Sequence, residues 1–186
     1  MEIYSGLFVV FGAWQIFGGI PLVIALFVSD AAGILATGDM GSMSEALGSN
    51  TFLFFMLLTF AIGLLCLLLY VKFVHKQSIK SLTTSRKSVD WSRILFSFSL
   101  WAIVSIALLF LDIWLTPEDY SFNFKLEPFL ILAAVSIVFI PIQTSMEEYF
   151  MRGYMMQGLG IMTKNRWFPL FFTSLLFGLM HILNPK

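Results

Sequence analysis

Two adjacent acids, a base four residues on and a late histidine are the residues of this chain whose types and spacing could do chemistry: Glu147, Glu148, Arg152 and His181. A carboxylate and an imidazole beside one cavity can activate water. The first serves as general base, the second as proton donor, oxyanion stabiliser or metal ligand. Glu148 and Arg152 have the acid-first, four-apart order that favours a helical ion pair. That pairing leaves Glu147, about 100° round the helix, for another task. Phe177 shares a helix face with His181, and Ser174 and Asn184 lie near that face. Ser174 is a poor nucleophile candidate because no base stands beside it in sequence.

These groups must be positioned by apolar helices. Glu127 and Pro128 suit the start of a helix, since proline is tolerated in a first turn, and Pro141 interrupts its bonding further on. Residues 128–146 carry no charge and could cross a membrane alone, leaving both glutamates in water. Against this, the chain stays uncharged from Gly153 to Thr163, so the helix is expected to run past the glutamates. A polar turn, TKNR, then leads to a second apolar helix from Trp167. In an antiparallel pair, residues at one depth are symmetric about the turn, and the midpoint of 147 and 181 is Lys164, inside that turn. The spacing therefore predicts Glu147 and His181 at one level, close to mid-membrane. A charge there disfavours insertion by about 2.5–3.5 kcal/mol and is a functional candidate by default.

The rest of the chain agrees with a membrane setting. Of 186 residues, 59% are hydrophobic and 12% charged, more apolar surface than a soluble core of this size could hide. Charge-free runs lie between Glu2 and Asp30, between Glu45 and Lys72, and at residues 94–111, 128–146 and 167–180. A spanning helix needs roughly 20 apolar residues. The fold class is thus all-α: a polytopic helical membrane protein with five transmembrane helices in this chain, part of a larger bundle. Residues 1–127 are read as three N-terminal spans with loops, and residues 128–186 as a hairpin bearing the candidate site. Lys72, Lys76, Lys80, Arg86, Lys87 and Arg93 mark the loop 72–93 as cytoplasmic, which puts the first loop outside and the N-terminus inside. His75, in that basic loop, has no acidic or histidine neighbour and reads as an ordinary loop residue. The single Cys66 excludes an internal disulfide framework. Membrane lipid is the one partner that composition itself implies; nothing points to nucleic acid, and the net charge of zero is uninformative.

Glu147-Glu148-Tyr149-Phe150-Met151-Arg152, continued by Gly153-Tyr154, is followed by Phe177-Gly178-Leu179-Met180-His181 and Asn184-Pro185. This pair of motifs, in order and in apolar helices, resembles the CAAX protease and bacteriocin-processing family of intramembrane proteases. The resemblance covers residues 128–186. It implies an endopeptidase acting near a membrane surface on a membrane-associated peptide or protein. Glu147 would activate water, Glu148 and Arg152 would support the site, and His181 would complete it with Phe177 and Asn184 in support. A divalent metal such as zinc, held in part by Glu147 and His181, and a metal-free glutamate mechanism are both compatible with it. One glutamate and one histidine fall short of the three protein ligands of a catalytic zinc site. The family pattern also includes a later helix with a second histidine and, four residues on, an asparagine or aspartate, which this sequence lacks. The expectation is a piece of a longer protein rather than a truncated relative, inactive as it stands.

Two other readings remain open. A non-catalytic membrane protein, such as a bacteriocin self-immunity factor, would share the fold without needing the water-activating glutamate. A transporter fragment would use the buried charges for a proton or substrate path. Compact size and short loops place the expected location in a bacterial inner membrane.

Overall fold

The computed structural model describes residues 2–84 and 86–182, with side chains from Gly6 onward. The protein is an all-α, polytopic membrane protein. Four helices are long and apolar enough to cross a bilayer, over Gly6–Val28, Ser49–Phe73, Trp91–Leu115 and Leu126–Thr163, and Trp167–Ile182 is a shorter apolar helix. In chain order the helices are α1 (Glu2–Val28), α2 (Met40–Leu47), α3 (Ser49–Phe73), α4 (Ile79–Thr83), α5 (Trp91–Leu115), α6 (Leu126–Glu148), α7 (Met156–Thr163) and α8 (Trp167–Ile182). Between α6 and α7, residues Tyr149–Met155 continue the same rod as a π-helix. The stretch before α3 is partly helical. Asp39 caps α2 by accepting from the backbone N–H groups of Gly41 and Ser42 at 3.3 and 3.0 Å.

The packed centre is α1 against α3 and α3 against α6. Lipid offers no hydrophobic drive for helix association, so small residues that let backbones approach are the means available. Gly63 of α3 is such a point, because the Trp14 indole of α1 lies where a Cβ would stand. Trp14 also packs on Phe60 and Phe150 at ring separations of 5.2 and 6.1 Å, joining three helices. Val10, Leu67, Val71, Met146 and Phe150 fill the space below it.

Two side-chain bonds fix the register of α3 against α6. At one end, the Asn50 amide donates to the Pro128 carbonyl at 2.9 Å. At the other, His75 and the Tyr154 hydroxyl are bonded at 2.8 Å. The two helices therefore run parallel, with the basic loop level with Tyr154. Glu147 and Glu148 lie six to seven residues short of that level, about 10 Å along the rod. They lie in the half of the α3–α6 pair nearer the basic loop, and α7 carries the hairpin turn beyond that loop. The turn itself falls where the symmetry placed it. Lys164 closes α7 in the left-handed conformation (φ 50°), and the Asn165 side chain accepts from the Trp167 N–H at 2.8 Å to start α8.

The third span stands apart. No residue of α5 is buried, and its one substantial packing contact is the short turn Pro117–Asp119 that follows it. Asp90 caps its start. The Ser92 hydroxyl first, and then the Arg93 N–H, hold that carboxyl below its ordinary range.

Candidate functional site

Pro141, nearly two turns before the glutamates, has no N–H to donate, so α6 lacks one backbone hydrogen bond there. The hydroxyls that follow turn back onto the helix: Thr144 donates to Ile140 O at 3.1 Å and Ser145 to Pro141 O at 2.6 Å. Gln143 donates to Glu147 Oε1 at 3.3 Å. The expected ion pair forms, with Arg152 bound to Glu148 Oε2 at 2.9 Å. Glu147 is half-buried, and its recorded partner is that neutral amide, so the two acids face different surroundings.

The helix changes type at this point. Tyr149–Met155 is a π-helix, with Phe150, Met151, Gly153 and Tyr154 buried. Such segments carry one extra residue in the turn and are frequent at functional sites. Sequence periodicity does not reveal it, because the run before and after is compatible with α-helix throughout.

On the facing helix, His181 is exposed and stacks on Phe177 at a ring separation of 4.3 Å. Its Nδ1 lies 2.9 Å from the Phe177 carbonyl. A carbonyl can only accept, so Nδ1 carries the proton in this bond. The hairpin packs through α8 on α7 and on the π-helix. Among the described residues no hydrogen bond joins Glu147 to His181; each bonds within its own helix. Ser174 is exposed. Asn184 lies outside the described residues, as does Pro185.

An open cleft of about 450 Å³ runs along the Glu148 side, lined by Ser145, Glu148, Tyr149, Arg152 and Thr83 among others. A second, of about 240 Å³, is lined by His75, Gln77, Tyr154 and Gln157. Between them sits Leu82 of α4, resting on Gly153. His75, read from the sequence as an ordinary loop residue, is thus a neighbour of the motif helix. Thr83 is another, bonded to the Tyr149 hydroxyl at 2.7 Å. Neither has a local signal, because the partners are 79 and 66 positions away.

Over residues 125–186 the chain matches the family model described as Type II CAAX prenyl endopeptidase Rce1-like. The similarity is at the level of the family. The matched region holds both glutamates, Arg152, Phe177 and His181. The chain is also 37% identical over 122 residues to the uncharacterized protein YyaK of Bacillus subtilis (strain 168). That alignment covers 63% of this chain and 40% of YyaK, so the chain spans well under half of the relative's length. No solved structure matches it. Zinc, which the family resemblance allows, does not fit what is described. Among the described residues no group of three or more His, Cys, Asp or Glu side chains could hold a metal ion, and a catalytic zinc takes three protein ligands.

Proposed function

We propose that this chain carries the site of an intramembrane endopeptidase that hydrolyses a peptide bond of a membrane-associated substrate close to the membrane surface. What supports it most is the match over residues 125–186 to a prenyl endopeptidase family, in the segment where Glu148 is paired with Arg152 and Glu147 is not. In this reading residues 128–186 are the site-bearing hairpin and residues 1–127 the spans that hold it, in a bacterial inner membrane. Glu147 takes a proton from water as the oxygen attacks the scissile carbonyl. The same proton passes to the leaving amine. Arg152 stabilises the oxyanion, Glu148 holds Arg152, and His181, oriented by Phe177, completes the site. No step is routed through a metal.

The test uses the protein expressed from its complete reading frame, in proteoliposomes with two internally quenched probes: a farnesylated peptide ending in a CAAX sequence, and an unlipidated transmembrane peptide. Loss of general-base catalysis typically costs about 10²–10⁴-fold, so Glu147→Gln is expected to lower cleavage of one probe by that factor. Cleavage unaffected by Glu147→Gln, or a protective effect in cells that survives the substitution, would move the reading to a non-catalytic membrane protein such as an immunity factor.

A further inference from the structure

Residues 74–84 leave the end of α3 and fold back across the motif helix. Three contacts hold them. His75 bonds the Tyr154 hydroxyl at 2.8 Å, Thr83 bonds the Tyr149 hydroxyl at 2.7 Å, and Leu82, buried, rests on Gly153. The chain turns at Lys76 in the left-handed region (φ 52°), and the Gln77 N–H donates to the Val71 carbonyl at 3.1 Å, which seats the strap against α3. Tyr70 of α3 packs edge-on against His75 at 5.1 Å.

The two tyrosines bracket the π-helix and are five residues apart. In an α-helix of 3.6 residues per turn, residues five apart point about 140° away from each other. A strap lying along one side of such a helix reaches only one of them. In a π-helix, whose backbone bonds run from i to i+5, residues five apart come much nearer one face. The strap therefore fits the π register and not the α register. A π-helix is rare on its own account and persists where surroundings over-determine it.

We propose that His75 and Thr83 are positioning residues. By holding Tyr154 and Tyr149 on one side, they keep Tyr149–Met155 in π geometry and so set the angle between the glutamates before it and the rod after it. Without the strap the segment relaxes to α-helix. One residue's worth of turn, about 100°, is then redistributed between α6 and α7. The effect on peptide hydrolysis rests on the endopeptidase reading. The effect on helix register does not.

The experiment reads register directly. Spin labels at Lys72 and Ile161, on a Cys66→Ser background in lipid nanodiscs, report the rotation of α7 against α3 by pulsed EPR. A second pair, Lys72 and Lys80, reports strap docking. Thr83→Ser and His75→Gln, which keep a bonding group, are expected to give the unsubstituted distances in both pairs. The double variant His75→Leu/Thr83→Val is expected to release the strap and shift the Lys72–Ile161 distance by several Å, as a side chain on a rod about 10 Å across must when it rotates this far. If the double variant does not stay folded, Thr83→Val alone is read in the same way. A released strap with the Lys72–Ile161 distance unmoved overturns the proposal. So does a strap that stays docked without its two bonds. A register shift with no change in probe cleavage leaves the positioning intact and counts against the endopeptidase reading.

Discussion

Arg152 and Glu148 are 64% and 47% exposed at the mouth of a polar cleft, and that exposure separates their structural value from a chemical one. A surface ion pair of this kind contributes about 0–1 kcal/mol. Arg152→Leu is therefore expected to lower thermal stability by no more than about 1 kcal/mol, while reducing probe cleavage far more if the guanidinium meets the oxyanion. Thermal unfolding in detergent beside the cleavage assay decides it: equal small losses in both would make the pair structural only. The ion pair was legible in the sequence because four-residue spacing on a helix is local geometry. The bond from Gln143 to Glu147 was not, because several rotamers are open to each side chain.

At the scale of elements, α1 and α3 are held by a close approach that a single methyl group opposes. Gly63→Ala would drive a Cβ into the Trp14 indole, which is itself packed on Phe60 and Phe150. Overpacking a filled site typically costs about 1–3 kcal/mol, and that loss is expected in unfolding experiments in mild detergent. An unchanged stability would mean that α1 can shift on α3 and that this interface does not set the bundle. Helix existence was readable from the charge-free runs, and the hairpin from its polar turn at Lys164. The π-helix was not, since its cause is the strap and α1 around it rather than its own residues. Gly6 of α1 shows the same dependence: the Tyr154 hydroxyl occupies the space where a Cβ of Gly6 would stand.

For the whole molecule, α5 is the anomaly. Trp101 is 71% exposed and Phe110 67% exposed, on a helix with no buried residue. The described residues leave those side chains uncovered, and a variant keeping Trp101 as its one tryptophan is expected to lose fluorescence in nanodiscs of brominated lipid. A signal that brominated lipid leaves bright would show that α5 packs on protein, either a second copy or a neighbour, and that the three-helix centre is not the full assembly.

Apolar runs, their lengths and the placing of lysine and arginine determined by themselves that this chain is a membrane-spanning helical protein with a charged motif pair on its last hairpin. Those signals are local, and a bilayer leaves the backbone no alternative to helix. Only the tertiary structure decided which helices touch, and that His75 and Thr83 reach across to Tyr154 and Tyr149. Both depend on the meeting of segments distant in sequence. Neither is encoded in any short stretch of residues.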